Sequence, residues 1–256
     1  MKKKYIVLGV LAAAVAGIYY FTPSFESIVK KLVNKYGSEI TGTEVNLQGF
    51  KLSLTNGEGS IQKITVGNPK NYKAPNIISL DGITVKVDLK SLTSDTIIIE
   101  KVEIDKPVIT YEMLSLTQNN IKEIQNNISK YTQNSAKESQ KQSLSKEPKK
   151  ESSKKVIIKS LLIKNGELQA LSNIAGKESS MNVKLPDIQM NNIGAAKKGG
   201  SVSETLIKVF NQILNTASKT VVSSNLNNLK EVADKNLNNV VDGVKDRVKN
   251  LGIFGK

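Results

Sequence analysis

The sequence predicts an α+β, mainly β protein. Its parts are an N-terminal transmembrane helix, a twisted antiparallel repeating sheet with a groove-like apolar face, and C-terminal amphipathic helices. Three observations lead there. A charge-free apolar run over residues 5–21 follows a lysine triplet; residues 44–111 and 156–194 carry apolar side chains at a period of two; and from Ser201 the apolar period becomes helical. The organisation that follows is an anchor over 1–22, a first β region over 23–112, a helix and disordered linker over 113–155, a second β region over 156–194 and an amphipathic helical tail over 195–256.

The anchor comes first. Lys2, Lys3 and Lys4 precede Tyr5, Leu8, Leu11, Ile18, Tyr19, Tyr20 and Phe21 within the apolar run. Its length is at the short end of the roughly 17–25 residues that cross a hydrocarbon core. The closing aromatics suit an interface, and the basic flank predicts that the rest of the chain is translocated. Ala14-Val15-Ala16 also fits a signal-peptidase site, so an uncleaved tether and a cleaved leader are both open. Either one exports the body.

Pro23-Ser24 ends that run. Phe25, Ile28, Val29, Leu32, Val33 and Tyr36 recur at helical spacing up to Gly37, which predicts a short amphipathic helix. Its apolar face could rest on lipid or on the first strands. From Glu44 the period is two. Val45 and Leu47 share one phase and Phe50, Leu52 and Leu54 the next, so a β-bulge is expected at Gly49. Asn56-Gly57 predicts a tight turn, and residues 68–75 a loop. Ile83, Val85, Val87 and Leu89 then alternate with Thr84, Lys86, Asp88 and Lys90, as in a half-buried strand. Val102 and Ile104 continue the pattern before Pro107, which favours a sheet edge or a strand start.

A helical stripe of Ile121, Ile124, Ile128 and Tyr131 follows, and then residues 133–155 hold almost nothing apolar. That stretch predicts a mobile linker, because it buries too little to offset its ordering entropy. Strands resume at Val156. The octet Val156–Ile163 repeats the apolar pattern of Ile97–Ile104, which points to one repetitive sheet. In the tail, the stripe Leu206, Val209, Phe210, Ile213, Leu214, Ala217 and Val221 continues to Leu251. Such a helix could lie on a membrane surface or cap an open sheet.

Composition narrows the function. The chain of 256 residues has no His, Cys or Trp, which removes the usual zinc sites, thiol nucleophiles and Ser-His-Asp triads. The net charge of +14 is carried by Lys, with Arg247 the only arginine. That argues against sequence-specific nucleic-acid reading, which relies on Arg forks, and AT-rich codon usage accounts for a Lys-, Asn- and Ile-rich chain equally well. Asp81 and Asp187 belong to no spaced acid pair, Ser27-Ile28-Val29-Lys30 matches S-x-x-K only by spacing, and Asn127-Ile128-Ser129 fits a glycosylation pattern that is common by chance. The expectation is a protein that is not an enzyme, with no cofactor, no metal and no nucleic-acid partner.

One resemblance joins these features. The anchor, the helix ending near Gly37, Thr43-Glu44-Val45 and the glycine hairpin lead to Val66-Gly67-Asn68-Pro69. Ile83–Leu89 and the run from Ile97 to Ile104-Asp105-Lys106-Pro107 follow. Over residues 1 to about 112 the chain resembles the AsmA-like family, inner-membrane-anchored proteins of Gram-negative envelopes related to chorein-type lipid-transfer bridges. Leu185-Pro186-Asp187-Ile188 to Ile193-Gly194 is similar to the C-terminal end of such proteins. The resemblance implies a single-pass protein of the cell inner membrane with its body in the periplasm. It implies a β-groove for phospholipid acyl chains and a part in outer-membrane assembly and lipid homeostasis. The groove would be lined by Ile83, Val85, Val87, Leu89, Val102 and Ile104. The chain has too few strands to bridge a periplasm alone, since strands lie about 4.8 Å apart. An ordinary sheet packed under helices, in a scaffold that binds envelope proteins, is the alternative.

Overall fold

A computed structural model describes residues 26–115, 117–142, 155–174, 177–195 and 199–224. The expected anchor, residues 143–154 of the expected linker and the tail after Ser224 lie outside the described residues. Helix α1 covers 26–41. Strands β1 (Val45–Leu52), β2 (Glu58–Gly67), β3 (Asn76–Val87), β4 (Thr96–Asp105) and β5 (Val108–Met113) precede helix α2 (Asn120–Gln142). Strands β6 (Lys155–Lys164), β7 (Glu167–Ile174), β8 (Lys177–Lys184), β9 (Ile188–Ile193) and β10 (Gly200–Ser201) lead to helix α3 (Val202–Ser223). The class is α+β, mainly β.

All ten strands belong to one twisted sheet. It is mixed, which corrects the antiparallel expectation. β4 pairs with β6, and β5 with β7, in parallel. The separation between partners is constant at 59 residues (97 to 156, 108 to 167). The two octets that match in sequence therefore lie side by side in register. Parallel neighbours need a long connection, and the segment containing α2 supplies it. β3 pairs antiparallel with both β4 and β5, and β6 and β7 pair with β9 and β8 in the same way. Each of these short strand pairs is thus one long strand interrupted at its middle.

The interruptions form a line across the sheet. On every long strand the buried face steps by three residues instead of two at the same row: Leu47 to Phe50, Leu80 to Ile83, Ile104 to Pro107, Ile163 to Gly166, Leu185 to Ile188. Gly49, Gly82, Lys106 and Asn165 have φ of 58°, 63°, 55° and 55° at this row. On these four strands a left-handed residue turns the alternation over without adding a residue, while β2 (Ile61 to Ile64) and the β8–β9 strand (Leu185 to Ile188) make the same step without one. Because every strand does so together, pairing is unbroken: Gln48 faces Lys63 on one side of the line and Phe50 faces Ile61 on the other. The expected bulge in β1 is therefore absent, and the phase change at Gly49 is one step of a crease shared by the whole sheet.

The helices pack on one face. Ile40 of α1, Ile121, Ile124 and Ile128 of α2, and Phe210, Ile213, Leu214 and Ala217 of α3 share one buried cluster with the apolar sides of the strands. Asn127 Nδ2 donates to the Thr41 carbonyl at 2.9 Å, Tyr131 Oη contacts Ser203 Oγ at 3.2 Å, and Gln125 Nε2 donates to Asn215 Oδ1 at 3.0 Å, tying the three helices together. A capping box between Ser201 and Glu204 starts α3. α1 also closes the β1 edge: Ser38 Oγ accepts from Val45 N and Asn34 Oδ1 from Leu47 N, each at 2.8 Å. Such cover suppresses edge-to-edge pairing.

Several boundaries differ from expectation. α1 continues past Gly37, where a Cβ would meet Val45 Cγ1 at 2.8 Å, and stops at Gly42 with φ 68°. Gly37 serves close packing, and Gly42 takes the left-handed position that ends helices. α2 runs to Gln142, so the first ten residues of the expected linker are helical. β3 ends at Val87; Asp88 caps a 3-10 turn over Leu89–Thr93, its side chain accepting from Lys90 N. Pro107 stands at a strand start, in a strand with neighbours on both sides.

Candidate functional site

The apolar face of the sheet is the one extended feature that the repeat, the crease and the helices jointly define. Ile83 stands opposite Ile104, and Val85 opposite Val102, on β3 and β4. The ladders carry these pairs across the sheet. Phe50, Ile61, Ile83, Ile104, Ile163 and Ile188 form one row over six strands. Beyond the crease, Val45, Val66, Ile78, Ile109, Leu168 and Val183 form a second. Cross-strand pairs of β-branched residues stabilise a sheet by about 0.2–1 kcal/mol each, so these rows fix register as well as making a surface.

Five of the six residues expected to line a groove are brought together on this face. Ile83, Val87, Val102 and Ile104 are buried, and Val85 is half-buried. Leu89 lies in the 3-10 turn after the strand, half-buried, and is not part of the ladder. Ile83, Val102 and Ile104 belong to the same cluster as Phe210, Ile213 and Leu214 of α3. Leu161, Ile163 and Ile188 lie on the same face without having been expected there. The first two were accessible, because adding 59 to Val102 and Ile104 gives them.

The opposite face is polar. Glu103 pairs with Lys101 at 2.6 Å and Lys164 at 2.5 Å, Glu100 with Lys159 at 3.7 Å, and Asp81 with Lys63 at 3.5 Å. Hydrogen bonds from the two lysines hold the Glu103 carboxyl down to about 2, and Lys164 is raised by the same contact. At the crease, Asn165 Nδ2 donates to Asp105 Oδ1 at 2.7 Å, which holds its left-handed backbone in place.

A buried polar knot closes the end where α2 begins. The Glu112 carboxylate, 2 % exposed, accepts from Lys73 N at 2.6 Å, Ala74 N at 3.0 Å and Asn68 Nδ2 at 3.0 Å. Asn120 Nδ2 donates to Asn68 Oδ1 at 2.9 Å and Thr110 O at 2.8 Å, while its Oδ1 accepts from Glu112 N at 2.9 Å. Each of these groups has a partner, so the knot holds the 68–75 loop in place. Nearby, burial and then Glu123 push the Tyr72 hydroxyl up to about 12. Between α1 and α2 lies an open polar depression of about 350 Å³ lined by Glu39, Asn127, Lys130 and Tyr131.

Among the described residues no cluster of acidic side chains could hold a metal ion, and no helix is long and apolar enough to cross a membrane. No protein-family model matches the chain, and no curated protein matches its sequence.

Proposed function

We propose that this chain is a membrane-tethered, envelope-facing protein of AsmA-like kind that acts, without catalysis, in lipid handling or outer-membrane assembly. The supporting observation is the repeated sheet, whose copies pair in register and present continuous apolar rows on one face. A sheet that adds strands by repetition while keeping one apolar face is suited to burying acyl chains along that face. The family motifs and the apolar run over residues 5–21 support the tether.

The cover over that face decides how lipid would enter. α2 and α3 pack on the rows, so acyl chains would take the place of helix side chains such as Phe210 and Leu214. Mass spectrometry of the full chain purified in mild detergent, with the polar face of α3 cross-linked to α2 in a parallel sample, tests this. The expected result is phospholipid that co-purifies with the free protein and is reduced in the cross-linked one. Protein free of lipid in both samples overturns lipid handling.

The second reading is a scaffold that binds envelope proteins. It is favoured by one observation: Ile83, Val102 and Ile104 already share a filled core with α3. Cross-linking in intact envelopes should then capture protein neighbours along the exposed surfaces of α2 or α3.

A further inference from the structure

We infer that the outward face of α1 is a docking surface for an anionic lipid bilayer, so that the body lies down on the membrane beside its tether. The inference rests on the tether proposed above.

α1 has three faces with different work. Val33, Tyr36 and Ile40 pack on the core, and Asn34 and Ser38 hold the β1 edge. The third face carries Ile28, Lys31, Leu32 and Lys35, which follow the three-and-four spacing that keeps side chains on one side of a helix, and ends before Glu39, which lines the depression against α2. Ile28 is 54 % exposed, and it is one of only two large apolar side chains so exposed among the described residues. Leu32 beside it is half-buried; Lys31 and Lys35 are exposed and flank the pair.

An exposed isoleucine among lysines suits an interface better than it suits water or a protein core. Interfacial helices bury an apolar strip about 5–10 Å into the headgroup region and place Lys around it. The lysines select an anionic surface, while Glu39 lies at the far end of the helix from Ile28. The described part of α1 opens at residue 26, shortly after the apolar run of residues 5–21, so any tether there holds Ile28 close to the headgroups.

The chain has no cysteine, which makes single-site labelling direct. The full chain would be reconstituted into vesicles of phosphatidylethanolamine and phosphatidylglycerol as Ile28→Cys, Ala12→Cys or Lys51→Cys, each carrying an environment-sensitive fluorophore. Quenching by spin-labelled acyl chains is the readout. The expected result is strong quenching at positions 12 and 28, several-fold above that at 51, with Lys31→Glu plus Lys35→Glu bringing position 28 down to the level of 51. Quenching at 12 without quenching at 28 overturns the docking surface and leaves the tether standing. Quenching at neither overturns both. Equal quenching at 28 in vesicles of phosphatidylcholine alone overturns the assignment to an anionic surface.

Discussion

Glu103 and Glu112 are nine residues apart on one long strand and meet opposite fates. Glu112 is buried, and its charge is matched by two backbone N–H groups and an amide. Removing it would strand those donors inside the protein. Glu103 is on the polar face and is matched by lysines. Its pKa of about 2 lies below the usual 4.5, so its pairing favours the folded state at higher pH. That contribution is present above pH 4.5 and is lost as pH falls through 2. Thermal melts between these pH values should therefore show wild type losing stability more steeply than Glu103→Gln. Parallel slopes for the two proteins would mean that the lysine contacts add nothing. The exposed setting keeps the effect small, because water and salt screen such pairs.

At the scale of elements, α3 decides whether the apolar face is a core or a lidded groove. Phe210, Ile213 and Leu214 are 7 %, 2 % and 0 % exposed, whereas Val222 on the same helix is 78 % exposed. If α3 is an integral part of the core, Leu214→Ala should cost about 3 kcal/mol, within the range for buried Leu truncations. Val222→Ala should stay within about 0.5 kcal/mol. Urea titration of both variants measures this, and a Leu214→Ala cost near that of Val222→Ala would show a weakly seated helix. Much of this level was legible in the residues. The stripe from Leu206 to Val221 became α3, and Ile121, Ile124 and Ile128 became the buried side of α2. What periodicity could not give was the end of each element. Gly37 looks like a stop, but its hydrogen side chain admits Val45. Residues 133–142 look like a linker because they bury little, yet they extend a helix already nucleated by its apolar half.

The phase change at Gly49 was visible in sequence, and the nearest local explanation was a bulge. The true cause is visible only with all strands together, because a step shared by every neighbour leaves no register shift at that row in any pair. The same blindness hid the strand direction: the two matching octets were plain, but only the long connection through α2 makes them parallel. The crease gives a sharp test at Gly82, where φ is 63° and an added Cβ would meet nothing within 4 Å. Gly82→Ala should therefore cost only left-handed strain, about 1–2 kcal/mol, and keep a cooperative melt. Deleting Gly82 should be far worse. With that residue gone, Ile83, Val85 and Val87 can keep either their partners on β4 or their place on the buried face, because a one-residue slip turns a strand over. Circular dichroism melts of the two variants separate the outcomes: a cooperative transition for the alanine variant and none for the deletion. A deletion variant that melts as sharply as wild type would mean that each strand crosses the crease independently of its neighbours.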